Sequence, residues 1–265
     1  MTTCDNTSNI ALSTENVAVH FGGLVAISDM SFTAKEGEVT SLIGPNGAGK
    51  TTAFNVITGF LEPTMGTIRY RGELLNDRKP HEIAALGVVR TFQKTSVFGG
   101  CTVFDNILIG LHRQGKASPL QIVFGLGSVK KEERLLREQA KGILEFSSLL
   151  NRAEEMASDL PYGEQRLLEV AVALATNPTL LLLDEPVSGM NPSETESFME
   201  MVAKIKARGT TILLVEHDMR MVMGVSDHIV VLNQGGIIAK GTPKEIQNHP
   251  EVLRAYLGRG GDKNA

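Results

Sequence analysis

Nine residues, Gly44-Pro45-Asn46-Gly47-Ala48-Gly49-Lys50-Thr51-Thr52, carry the clearest chemistry in this 265-residue chain. They fit the pattern G-x-x-x-x-G-K-[ST] directly after the apolar run Val39 to Ile43. A strand, a glycine-rich turn and a helix start form the context in which backbone N–H groups converge on a phosphate. Lys50 can reach β- and γ-phosphates, and the Thr51 hydroxyl can hold Mg²⁺. The dipole of the following helix adds partial positive charge. A nucleoside triphosphate is the ligand this spacing predicts.

A second set of groups suits the same chemistry. The run Leu180 to Leu183 ends in Asp184-Glu185. An acidic pair after an apolar strand is common. Beside a phosphate loop it becomes a magnesium ligand, Asp184, and a candidate base for the attacking water, Glu185.

The elements that must position these groups are legible as patterns. Short strands are expected over Asn16 to His20 and Ala26 to Thr33, around Gly22-Gly23. Val39 to Ile43, Thr179 to Leu183 and Thr211 to Val215 are unbroken apolar runs, as in a parallel sheet covered on both faces. Helices are expected over residues 51–59, 103–111, 130–150, 163–176 and 194–207. Asn233-Gln234-Gly235-Gly236 between two apolar runs is a hairpin signal. The charges on residues 130–150 describe a solvated helix face. Residues 1–14 are polar and unpatterned and are expected to be disordered. Residues 15–258 form one expected domain, with a helical part at about 95–162 and a flexible tail at 259–265.

Bulk properties set limits. Lys plus Arg number 26 and Asp plus Glu 30, so the net charge is −4, which argues against nucleic acid as the main partner. The two cysteines, Cys4 and Cys101, do not suggest a disulfide framework. No apolar run approaches the roughly 18 residues a membrane helix needs, and the first residues lack the pattern of a secretory signal. A cytoplasmic location follows as the expectation, with membrane association through partners left open.

Asp159-Leu160-Pro161-Tyr162-Gly163-Glu164-Gln165-Arg166, one helix before Asp184, resembles the signature motif of ATP-binding cassette (ABC) ATPases. Further marks follow in that family's order. Phe21 stands where an aromatic stacks on adenine. Gln93, in Arg90-Thr91-Phe92-Gln93, matches the Q-loop. Ser188-Gly189-Met190-Asn191 matches the D-loop, and His217 the switch histidine. The match covers residues 16–257. It implies an α/β phosphate-loop NTPase fold with a mixed central sheet, an antiparallel β subdomain and an α-helical subdomain. It also implies ATP and Mg²⁺ as ligands, with Gln93 joining Thr51 and Asp184 at the metal. Glu185, His217 and Gln93 are the implied catalytic residues. Leu160, Pro161, Tyr162, Gly163 and Glu164 would complete the nucleotide site of a facing subunit.

The signature departs from the common Leu-Ser-Gly-Gly-Gln at Pro161, Tyr162 and Glu164. Pro161 removes a hydroxyl but suits a first helical turn. Glu164 brings negative charge toward phosphate unless it points away or pairs with a cation such as Arg166. Arg90 to Gln93, the insertion after Val103 to Gly110, and Leu160-Pro161-Tyr162-Gly163 with Gly189-Met190-Asn191-Pro192 resemble the branched-chain amino acid uptake branch. That branch implies a second ATPase subunit, two permease subunits and, indirectly, a periplasmic binding protein. Importers of urea, amides or aromatic acids, and a soluble assembly ATPase, remain alternatives. Residues 114–129 have an apolar tip, Ile122-Val123-Phe124, that suits either a partner surface or the chain's own helical layer.

Overall fold

Three five-residue strands, β3 (Val39–Ile43), β7 (Leu180–Asp184) and β8 (Thr211–Val215), are buried at every position. A computed structural model describes residues 9–91, 97–112 and 127–257. Burial on both faces is what continuous Val, Ile and Leu runs require, and it makes these strands the centre of a parallel sheet. β8 lies between the other two: Leu42 is level with Val215, and Val215 with Asp184.

Among the described residues the sheet has ten strands in the order β5-β4-β1-β2-β10-β9-β3-β8-β7-β6. The remaining strands are β1 (Ile10–Phe21), β2 (Leu24–Lys35), β4 (Met65–Tyr70), β5 (Glu73–Leu74), β6 (Val88–Arg90), β9 (His228–Asn233) and β10 (Gly236–Gly241). β5, β4, β1 and β2 pair antiparallel, while β9, β3, β8, β7 and β6 pair parallel. The mixed sheet and its antiparallel part therefore match the expected fold class.

Of the segment 1–14 expected to be disordered, residues 1–8 lie outside the described residues, and Ile10 to Thr14 belong to β1. Ile10 onward is strand, and Ala11, Leu12 and Thr14 are buried. Polar Ser13 and Thr14 hide the apolar alternation, and a bulge shifts the register between Thr14 and Val17. Asn16 takes φ 49° there, and Gly66 of β4 lies so close that a Cβ would meet the Asn16 carbonyl at 2.3 Å. Tertiary pairing supplies what the local pattern does not.

Contacts divide the chain into two units. One holds Met1–Arg90, Thr179–Ser188 and Met199–Ala265; the other holds Thr91–Pro178 and Gly189–Phe198. The helical part thus extends beyond the expected 95–162. The reason is the helix Tyr162–Ala175, which packs on the helix Val103–His112. Their close approach needs a residue without a side chain at Gly110, where a Cβ would meet the Val172 carbonyl at 2.8 Å. The charged helix Gly127–Phe146 carries Arg137–Glu133 and Arg134–Glu138 pairs on its exposed surface, as a solvated face should. Residues 113–126, with most of the 114–129 insertion and its Ile122-Val123-Phe124 tip, and the tail 259–265 lie outside the described residues.

Phe54 anchors the core of the first unit. It is fully buried on the helix Lys50–Ile57 that leaves the phosphate loop. Phe54→Ala should cost about 3–5 kcal/mol, the usual range for emptying a core aromatic site. Denaturant unfolding at constant m-value would measure it.

Candidate functional site

The phosphate loop leaves β3 at the level where β7 and β8 also end. Gly44 lies two residues past Leu42, Glu185 one past Asp184, and Glu216 one past Val215. Crevices outside the carboxyl ends of parallel strands are where α/β sheets bind ligands. A pocket of about 400 Å³ opens there, lined by Leu24, Val25, Ala26, residues 46–52 and Glu185.

Backbone packing explains the glycines. At Gly44 a Cβ would fall 2.1 Å from the Leu232 carbonyl oxygen. Gly49 takes φ 105° at the start of the helix, and a Cβ there would lie 2.8 Å from the Ala26 oxygen. The hairpin turn of β9 and β10 braces the loop: Gly235 N–H donates to the Ala48 carbonyl at 3.1 Å, and the Gly235 carbonyl accepts from Ser28 N–H at 2.8 Å. The turn signal at 233–236 is visible in sequence, but its support of the phosphate loop is not. Phe21 is exposed at the end of β1 beside this pocket's Leu24, with which it pairs; Leu24 and Val25 form the apolar lining.

Lys50 is buried, and its ammonium donates to the carbonyls of Gly44 (2.8 Å) and Pro45 (3.2 Å). Burial pushes its pKa below the ordinary 10.5, while the charges of Glu185 and Asp184 pull it back up. An anion in the pocket would favour the charged form that burial disfavours.

Asp184 is buried and shared. Its Oδ2 accepts from Arg90 Nη2 at 2.6 Å, and both side chains are within 8% of full burial. Arg90 Nη1 also donates to Asn55 Oδ1 at 2.8 Å, and its guanidinium lies 5.4 Å from the Phe54 ring centre. One arginine thus ties the end of β7 to the helix behind the phosphate loop. Asp184 Oδ1 is buried with no hydrogen-bond partner. An unpaired buried carboxylate oxygen fits a hard divalent cation that takes oxygen ligands, and it belongs to the residue before Glu185, which lines the pocket together with Thr51. In sequence the run Arg90 to Gln93 is only a motif. Arg90 as the partner of Asp184 needed the β6–β7 pairing to be seen. Gln93 lies outside the described residues.

Glu185 has φ 46°, a left-handed conformation rare without glycine, and its N–H donates to the Val215 carbonyl at 2.8 Å. Its Oε2 is 3.9 Å from Nδ1 of His217, whose side chain is exposed. Sequence spacing brings Glu185 and His217 no closer than 32 residues; the β7–β8 ladder joins them.

The signature lies in the second unit. Pro161 takes φ −52° and precedes the helix Tyr162–Ala175 as its N-cap. Glu164 does not pair with Arg166. It sits 3.2 Å from Arg152 Nε, while Arg166 binds Glu169 at 2.9 Å and the Tyr162 hydroxyl at 3.0 Å. The three- and four-residue spacings of a helix select Glu169 and Tyr162 for Arg166. Asn191 caps the helix Pro192–Ala207: its Oδ1 accepts from Ser193 and Glu194 N–H, and Glu194 Oε2 accepts from Asn191 N–H. This capping box, with Pro192 in the first turn, gives the D-loop Asn a structural reason. Ser188 N–H donates to the Glu185 carbonyl at 3.3 Å. The ring of Tyr162 would lie 3.3 Å from a Cβ at Gly189, and Glu194 would meet a Cβ at Gly163 at 2.7 Å. Leu160 is buried and Met190 is partly exposed.

The family described as ABC transporter matches residues 27–188, and one described as branched-chain amino acid ATP-binding cassette transporter matches residues 237–262. The Salmonella typhimurium high-affinity branched-chain amino acid transport ATP-binding protein LivG is 46% identical over 93% of this chain and 97% of its own length. The Pseudomonas aeruginosa counterpart BraF is 44% identical over the same shares. Among solved structures, the ADP conformation of an ATP-binding cassette of an ABC transporter has a TM-score of 0.82 at 36% identity, covering 94% of this chain and 99% of that one. A nucleotide-free cassette has a TM-score of 0.80 at 36% identity, covering 93% and 98%.

Two outcomes follow from the buried charges. Arg90→Ala leaves Asp184 buried without its cation and should destabilise the protein by about 3–5 kcal/mol in denaturant unfolding. Arg90→Lys should recover only part of that loss, because an ammonium cannot serve Asp184 and Asn55 as a planar fork. For Lys50, the unfolded chain binds the extra proton between the lowered folded pKa and 10.5, so raising pH through that window stabilises the fold. The stability of the natural protein relative to Lys50→Met should therefore rise as pH climbs toward 10.5. A flat difference would mean that burial does not penalise the ammonium.

Proposed function

The chain belongs to the ABC transporter family of ATP-binding cassettes, and from that premise we propose that it is the ATP-hydrolysing subunit of an importer for branched-chain amino acids. One observation supports the site assignment above others. Residues 44–52, the Asp184-Glu185 pair and Glu216-His217 leave three adjacent parallel strands at one level, around a pocket that presents Lys50 and Glu185.

In this reading the backbone N–H groups of residues 44–52 and the Lys50 ammonium bind the β- and γ-phosphates, and Phe21 stacks on adenine. Thr51, Asp184 and Gln93 would hold Mg²⁺, which neutralises charge on the phosphate oxygens when bound. Glu185 orients a water and accepts its proton as the water oxygen bonds to the γ-phosphorus. The bond from phosphorus to the bridging oxygen breaks, and ADP and phosphate leave. His217 hydrogen bonds a γ-phosphate oxygen. Ser188, Gly189, Met190 and Asn191 form the D-loop.

A facing ATPase subunit receives Leu160 to Glu164. The helix that starts at Tyr162 turns its positive end toward that subunit's γ-phosphate. Glu164, tied to Arg152, then adds less repulsion than a free carboxylate. ATP joins the pair, and hydrolysis releases it. Two permease subunits convert that motion into transport and place the chain on the inner face of the cytoplasmic membrane, with a periplasmic protein delivering the cargo. No helix among the described residues is long and apolar enough to cross a membrane.

Glu185→Gln tests this directly. Removing a positioned base should lower ATP turnover by about 10²-fold or more while nucleotide binding persists. The variant should accumulate as an ATP-and-magnesium-dependent pair in size-exclusion chromatography, and cells that depend on it should lose uptake of labelled leucine. Unchanged turnover, or full leucine uptake, would overturn the assignment.

A further inference from the structure

Glu216 is fully buried, and its carboxylate lies between the two segments that bear the reacting groups. Oε1 accepts from Val187 N–H at 3.0 Å. Oε2 accepts from His217 N–H at 2.8 Å and from Asp218 N–H at 3.1 Å. Val187 is two residues past Glu185, in the turn that leaves β7. His217 and Asp218 begin the turn that leaves β8. One side chain therefore fastens two loops from different strands at their backbones, and its Oε2 also lies 3.6 Å from His217 Nδ1.

We propose that Glu216 is a positioning residue for hydrolysis, whose buried carboxylate sets the separation of Glu185 and His217 by holding the backbone behind each. This rests on the ATPase reading above. Two features make the tether specific. Glu185 is in a left-handed conformation that isolated chains disfavour, so the turn after it must be held from outside. Its own bonds to Val215 and Ser188 hold one side of that turn, and Val187 to Glu216 holds the other. On the second loop, Asp218 accepts from Met221 N–H at 3.0 Å and caps the helix Met219–Val225, so His217 stands between a capped helix and the Glu216 carboxylate. The result is a Glu185 Oε2 to His217 Nδ1 spacing of 3.9 Å.

A carboxylate suits this place because both of its oxygens accept. An amide has one oxygen. In Glu216→Gln either Val187 N–H, or the His217 and Asp218 N–H groups, would face an NH₂ and lose a partner. One loop would stay held and the other would drift. Misplacement of reacting groups by about 1 Å can cost about 10²-fold in rate.

The experiment measures kcat, KM and ATP affinity of Glu216→Gln alone and combined with His217→Ala, together with thermal unfolding and amide hydrogen exchange. Expected are a kcat lowered by about tenfold to 10²-fold, KM and ATP affinity within about twofold of the natural protein, and faster exchange at Val187 or at His217 and Asp218. With His217→Ala the combined loss in kcat should be smaller than the product of the single losses. If Glu216→Gln does not fold, Glu216→Asp keeps both oxygens on a shorter stem and should give the same pattern. Losses in kcat and ATP affinity that run parallel, or single effects that multiply in full, would assign Glu216 to stability alone and overturn the proposal. Glu185→Gln turning over ATP like the natural protein would instead overturn the ATPase assignment and be read separately.

Discussion

Parallel pairing of β3, β8 and β7 is the constraint on which the site depends. Each strand is buried on both faces, so none can slip by one residue without moving apolar side chains and breaking a shared ladder. Fixed register makes all three strands end together. The phosphate loop, the acidic pair and the Glu216-His217 pair then leave the sheet at one edge. Strand register thus brings these groups to one edge of the sheet, where the Gly235 turn and the Glu216 carboxylate brace the loops that carry them.

Buried charges at the site are held either by a partner on a neighbouring element or by backbone groups close by. Arg90 on β6 pairs with Asp184 on β7 and reaches Asn55 on the helix behind the phosphate loop. Glu216 binds backbone on both sides of the site. Lys50 is held by carbonyls of its own loop. Such groups are costly to bury, and partnered burial leaves them oriented. Compensation is incomplete at Asp184 Oδ1, which has no hydrogen-bond partner, and at Lys50, whose pKa burial lowers; Lys50 lines the pocket, and Asp184 directly precedes Glu185, which also lines it.

The second unit solves a different problem. The signature has lost a serine hydroxyl and gained a carboxylate at Glu164, yet Pro161 suits the helix entry and Glu164 is drawn to Arg152. The D-loop Asn caps its helix as well as an Asp would. The departures from the common motif are thus absorbed by helix-terminus chemistry without loss of the helix that presents the signature.

Local pattern determined a good deal of this protein. The phosphate loop, the buried strands, most helices and the hairpin turn follow from residue types at short spacing, because glycine geometry, apolar periodicity and helix capping act over a few residues. Only the first half of β1 is hidden in the sequence: Asn16 to His20 reads as strand, but Ser13 and Thr14 break the alternation before it, and pairing with β2 and β4 makes Ile10 to Thr14 part of the same strand. Arg90 with Asp184, Glu164 with Arg152, and Glu216 with Val187 were decided by tertiary structure alone. Each joins residues brought together by sheet register or helix packing, and a charge buried by long-range folding takes the partner that geometry supplies, which spacing along the chain does not encode.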